Sequence, residues 1–278
     1  MRSRLQLFAV LVVLAAAIAG LSGGLAAPFK QADSRPAALP VDVELVLAVD
    51  VSYSMDPEEQ ALQREGYIAA LTSREFMQAL RQGMNGKIAV TYFEWAGTHH
   101  QQIIVPWRLI EGPESADSFV SDIARAKYTR ASRTSISGAL QFAMPLFDGS
   151  GYRGIRKVID VSGDGVNNNG LPVTLVRDEV LAKGITINGL PIMLKRPNFG
   201  GMDIEDLDVY YEDCVIGGPG AFVVAIKERD KFKEAIRTKL LLEIAGRTPE
   251  RRIVPASAAK PRISCTIGER IWQQRWGN

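Results

Sequence analysis

The run Val43 to Asp50 (VELVLAVD) is almost wholly apolar, of strand length, and ends in an acid. That is the pattern of a strand buried on both faces of a sheet. Asp56-Pro57-Glu58-Glu59 follows with a helix cap, a proline for the first helical position and acids for the first turn, predicting a helix to about Leu71 and a second piece from Ser73 to Arg81. Lys87 to Trp95 alternates and is rich in β-branched and aromatic residues, and Gln101 to Trp107 can pair back on it as an edge strand that tolerates Pro106. Helices are predicted for Ser115 to Ala126, Ser135 to Leu146, Leu175 to Lys183 and Asp230 to Ala245, and strands for Lys157 to Ser162, Ile185 to Leu190 and Ala221 to Ile226. Strands alternating with helices predict an α/β domain with a mainly parallel sheet of six strands, one edge strand antiparallel, and helices on both faces.

The ends of the chain break this pattern. Arg2 and Arg4 precede an apolar run from Leu7 to Leu21 and the small residues Gly24-Leu25-Ala26, which reads as a secretory signal peptide over residues 1–26. The rival, an uncleaved anchor helix, needs about 20 apolar residues. Residues 27–40 are polar and carry three prolines, the composition of a linker, and place the domain at 41–246. Export to the periplasm or the exterior follows, where a disulfide between Cys214 and Cys265, the only two cysteines of the 278 residues, would persist.

Without Arg2 and Arg4 the chain carries 31 basic and 31 acidic residues, so a chain-wide field for nucleic acid is absent. The charge is nevertheless split, because the tail 247–278 has seven basic residues against Glu250 and Glu269. Two behaviours are open to it: folding back with Trp272 and Trp276 packed on the domain, or acting as a basic arm at an anionic membrane surface.

In open α/β sheets, ligands bind at the carboxyl ends of the strands. There the chain places Asp50-Val51-Ser52-Tyr53-Ser54 (D-x-S-x-S), Thr134 in the loop before a helix, and Ser162-Gly163-Asp164-Gly165. Two carboxylates and three hydroxyls suit a hard divalent cation, Mg2+ above all, with Mn2+ or Ca2+ as substitutes. Hydroxyl ligands leave the cation's charge uncancelled, so the site can accept a carboxylate from outside. A lone D-x-S-x-S arises by composition in about one chain in ten of this length, so the weight rests on the three segments together.

These segments resemble the von Willebrand factor type A domain and its metal-ion-dependent adhesion site. Asp50, Ser52 and Ser54 match its first motif, Thr134 its isolated threonine and Asp164 its last aspartate; in detail the chain is similar to exported bacterial proteins of this type without an assigned role. The resemblance implies a Rossmann-like doubly wound sheet of order 3-2-1-4-5-6, and binding of a protein partner's Asp or Glu rather than turnover. It also implies direct metal contact by Ser52 and Ser54, contact largely through water by Asp50 and Asp164, and a conformation-sensitive Thr134. The family commonly reads T-D-G where this chain has Ser162-Gly163-Asp164-Gly165, which leaves Asp160 as the alternative last ligand.

Other readings compete. Asp50 and Ser54 could serve as helix caps, and Thr134 could cap the helix at Ser135. Arg125, Lys127, Arg130 and Arg133 either draw an acidic partner to this face or form a solvated loop. His99 and His100 read as a hairpin tip, and the acids from Asp203 to Asp213 as a solvated face without the spacing of a calcium loop. An aspartate-nucleophile phosphatase would need a second acid where Ser52 stands, and neither a G-x-S-x-G elbow nor a phosphate loop occurs. A metal-free structural domain remains the third class.

Overall fold

The computed structural model describes residues 38–194, 204–246 and 261–277. The signal-peptide segment, most of the linker, and Arg251 and Arg252 of the tail lie outside them. The strand β1 (Leu39–Asp50) starts inside the predicted linker and forms the centre of the sheet. Beside it run β2 (Ile88–Trp95) and then β3 (Gln101–Ile110) on one side, and β4 (Tyr152–Gly163) and β5 (Thr186–Pro191) on the other, in the order β3-β2-β1-β4-β5. Every pairing is parallel except that of β2 with β3. Pro106 falls where the β2–β3 register shifts between Val90 and Tyr92, so its missing N–H interrupts no regular ladder.

The sheet has five strands, not the six expected. Ala221 to Ile226 does run beside β5, but only through isolated parallel bridges, Gly189 with Val223 and Ile192 with Ile226. The edge of β5 is already shared: Gly217 exchanges both backbone hydrogen bonds with Ile187, and the Phe222 amide donates to the Asn188 side chain instead of a strand carbonyl. Between Gly189 and Met193 the backbone hydrogen bonds to Phe222, Val224 and Ile226 are otherwise in place, and the ladder is broken where Pro191 has no N–H to donate.

Alternation along β1 sends Val43, Leu45, Leu47 and Val49 to one core and Val46 and Ala48 to the other, which is why the run is apolar throughout. The first core is covered by α1 (Pro57–Leu71), α2 (Arg74–Arg81) and α3 (Pro113–Arg125). The second is covered by α4 (Ile136–Ala143), α5 (Val173–Ala182) and α6 (Leu207–Tyr210), the last continuing as a single π turn to Val215. The helix predicted to reach Leu146 stops at Ala143 because Pro145 cannot donate, and a 3-10 turn replaces its end. Helix α7 (Phe232–Ala245) returns to the first face.

The described acids of the solvated face do lie outward, Asp208, Glu212 and Asp213 pairing with Lys227 and Arg262, while Leu207, Tyr210, Tyr211, Cys214 and Val215 between them are buried. Cys214 and Cys265 are disulfide-bonded. From Cys265 the described part of the tail folds back as α8 (Ile267–Trp276), with Ile263, Cys265 and Ile267 packed on the second core. Trp272 stacks on Trp276, which stays half exposed.

Candidate metal centre

The first site segment leaves β1 at Asp50, which is fully buried. Its Oδ1 accepts the Ser52 amide at 2.7 Å, which turns the chain so that the Ser52 and Ser54 hydroxyls meet at 2.7 Å. Ser54 Oγ in turn donates to Asp164 Oδ1 at 2.6 Å, across 110 residues of sequence. Thr134 Oγ1 and Ser54 Oγ flank Gly165, at 3.5 and 4.0 Å from where a methyl group on that glycine would lie. The loops after β1 and β4 and the loop before α4 thus bring Asp50, Ser52, Ser54, Thr134 and Asp164 to one place.

The capping alternatives fail on the same geometry. Helix α1 is capped by Asp56, reciprocally with Glu59, and α4 by Ser135. Asp160 is not at the site either, since Lys239 engages it at 2.8 Å in the core. The departure from T-D-G has a steric cause: a methyl group at Gly163 would lie 2.8 Å from Asp50 Oδ2 and 3.1 Å from the Tyr211 hydroxyl.

The structure adds residues that sequence reasoning missed. Asn168 donates its amide to the Thr134 carbonyl and accepts the Thr134 amide on Oδ1. Asn167 Oδ1 accepts from the Ser137 amide and Asn169 Oδ1 from that of Thr98, so three consecutive asparagines join the loops after β2 and β4 to the start of α4. Their partners lie 30 or more residues away, and only the run Asn167-Asn168-Asn169 itself was a visible signal. On the other face Gln63 donates to the Asp50 carbonyl, and Arg64 reaches both Glu94 and the Ala126 carbonyl at 2.6 Å. Arg130 donates to the carbonyls of Tyr53 and Met55, bracing the first motif, and Arg133 lies over the Trp272 ring. Arg130 and Arg133 are therefore part of the site's scaffold, while Arg125 pairs with Asp122 on the exposed face of α3. His99 is exposed and His100 half-buried.

Burial, reinforced by the charge of Asp164, holds the Asp50 carboxyl well above the usual carboxylate range. Its Oδ2 is buried without a hydrogen-bond partner, and so is the Tyr211 hydroxyl near it. Burial and the facing Asp50 push the Tyr211 phenol up as well. A buried carboxylate oxygen left unpaired costs free energy that a cation would return. Among the described residues no cluster of three His, Cys, Asp or Glu could hold a metal, so any metal here depends on the hydroxyls. Two acids and three hydroxyls fit a hard cation of the Mg2+ type and do not fit a thiolate or imidazole site.

A family model described as "Protein of unknown function (DUF1194)" matches residues 40–248. No curated protein matches the sequence. Among solved structures, proximal thread matrix protein 1 from the mussel byssus aligns at 14% identity and a TM-score of 0.55, over 74% of this chain and 49% of that one. Another structure of it, described with a zinc-occupied MIDAS motif, aligns at 15% identity and a TM-score of 0.51, over 74% and 48%. The pilus adhesin SpaC of Lactobacillus rhamnosus GG in its open conformation aligns at 13% and 0.54, over 76% and 30%. The vWF domain of the type V pili tip protein Mfa5 of Porphyromonas gingivalis aligns at 12% and 0.50, over 78% and 99%. The chain spans about half the length of the mussel protein and less of the pilus adhesin. These similarities show a shared fold.

Proposed function

For a chain that belongs to the DUF1194 family and has the fold of a von Willebrand factor type A domain, we propose an exported protein-binding domain that captures an Asp or Glu side chain of a partner protein through a divalent cation. Asp50, Ser52, Ser54, Thr134 and Asp164 would hold the cation, Mg2+ first and Mn2+ or Ca2+ as substitutes. When bound, it supplies an electrophilic position that a partner's carboxylate completes. The observation that carries this reading is the meeting of these five side chains at one end of the sheet, with Asp50 Oδ2 buried there and without a hydrogen-bond partner.

Binding rather than turnover is supported by the aligned proteins, which are a pilus adhesin, a pilus tip protein and a thread matrix protein. The same company, with the apolar run at residues 7–21, supports export to the periplasm or beyond. Among the described residues no helix is long and apolar enough to cross a membrane. Peripheral membrane contact of the tail would fall to the exposed end of α8, at Trp276. The hydroxyl chain from Ser52 to Asp164 favours a metal-free structural role as second reading, but that role leaves Asp50 Oδ2 unsatisfied.

Affinity capture from the native envelope tests the function. The partner is expected to leave in EDTA, to return with Mg2+ or Mn2+, and to resist high salt better than a surface ion pair does. Retention of the partner in EDTA would refute metal-mediated capture.

A further inference from the structure

The C-terminal segment contacts the candidate site at its loops. Glu269, in the first turn of α8, accepts from Asn167 Nδ2 at 2.7 Å, and Asn167 is the residue whose Oδ1 holds the Ser137 amide. Gly268 is buried so tightly against the Asn167 carbonyl that a side chain there would overlap it. One turn further, the Trp272 ring carries the guanidinium of Arg133, the residue directly before Thr134. Arg133 is the only non-glycine among the described residues in the left-handed backbone region, at φ 74°. Such a conformation persists where surrounding contacts enforce it. The base of the segment is fixed twice, by the Cys214–Cys265 disulfide and by Arg262 on Glu212 and Asp213.

From these contacts we infer that residues 261–277 are a positioning strap for the metal site: Glu269 and Trp272 set the Asn167 to Asn169 and Arg133 to Thr134 loops in their ligating arrangement. The inference rests on the metal-binding reading for its consequence and on the loop contacts for its cause. Thr134 is the ligand most exposed to such control, because its amide and carbonyl are both held by Asn168, one residue from the Glu269 contact. Arg133 then acts as the lever between Trp272 and Thr134. Glu269 and Trp272 are positioning residues and touch no ligand position themselves.

The test uses the full mature chain and two readouts, amide hydrogen exchange at Thr134 and Asn168 and Mn2+ affinity. Glu269→Ala and Trp272→Ala are each expected to speed exchange of both amides and to weaken Mn2+ binding by about tenfold, the worth of one charge-assisted hydrogen bond. Glu269→Gln keeps an acceptor for Asn167 and is expected to restore both values. Gln274→Ala, on the exposed side of the same helix, is expected to change neither. The double variant Cys214→Ser, Cys265→Ser should behave like Glu269→Ala while remaining folded. Wild-type exchange at both amides in Glu269→Ala and in the cysteine variant would overturn the strap, and so would an equal loss in Gln274→Ala. If the wild-type chain binds no Mn2+, the metal reading falls, while the exchange rates still decide whether the strap holds the loops.

Discussion

At the scale of single residues, the candidate site holds a buried carboxylate that the fold leaves half satisfied. Asp50 Oδ1 is satisfied by the Ser52 amide, while Oδ2 and the Tyr211 hydroxyl are both buried and unpaired. Asp50→Asn would keep the first bond and remove the charge whose burial raises the Asp50 carboxyl. We therefore predict that Asp50→Asn, melted in EDTA, gains about 1 kcal/mol, or roughly 3 °C, while losing all stabilisation by Mg2+. A melting point below wild type in EDTA would show that the carboxylate is already satisfied in the metal-free fold. Asp50, Ser52 and Ser54 were legible because they share one turn, Asp164 because it directly follows a strand, and Thr134 because it directly precedes the Ser135 cap of a helix. The asparagines were not, because a side chain that bridges loops leaves no local period.

At the scale of elements, most helices and strands were readable from apolar spacing and caps, and α1 shows what blurs it. Glu59, Gln60, Gln63 and Arg64 are all buried there, where an amphipathic helix would bury apolar residues. Each has a task at the site end of the sheet, and the Arg64–Glu94 pair is the strongest, with side chains 5% and 1% exposed. Glu94 also accepts from Thr129 on the loop that leads to Thr134. Glu94→Gln leaves the buried guanidinium without a counter-charge and is expected to cost about 3 kcal/mol in urea unfolding. Arg64→Met with Glu94→Leu should recover most of that loss. A single-variant loss under 1 kcal/mol would mean that water, not Glu94, satisfies Arg64. The expected sixth strand fails on one residue: Ala221 to Ile226 has strand composition and hydrogen-bonds along residues 189–193, but Pro191 lacks the N–H that a continuous ladder needs.

At the scale of the whole molecule, the two faces of the sheet are held by different means. The site face of the second core is closed by the tail and its disulfide, a closure suggested by the cysteine pair and the +5 charge of residues 247–278 but not locatable from either. The first core instead contains the buried group Asp160, Lys239 and Glu243, which no periodicity announces. Burial, with the neighbouring charge of Glu243 and against the pull of Lys239, raises the Asp160 carboxyl to about 6. An unfolded aspartate loses its proton near 3.8, so between these values the folded state holds more protons and stability must fall as pH rises. The stability gap between wild type and Asp160→Asn is expected to shift against wild type by about 2 kcal/mol from pH 4 to pH 7. A gap that does not change with pH would contradict it. The central claim concerns the other end of the sheet, and calorimetric titration of the folded mature chain with Mg2+ tests it most directly. One divalent ion per chain should bind, sharply weakened in Asp50→Ala and less so in Ser54→Ala, with the fold intact. No heat of binding at millimolar Mg2+ or Mn2+ would contradict both the metal site and the carboxylate-capturing function built on it.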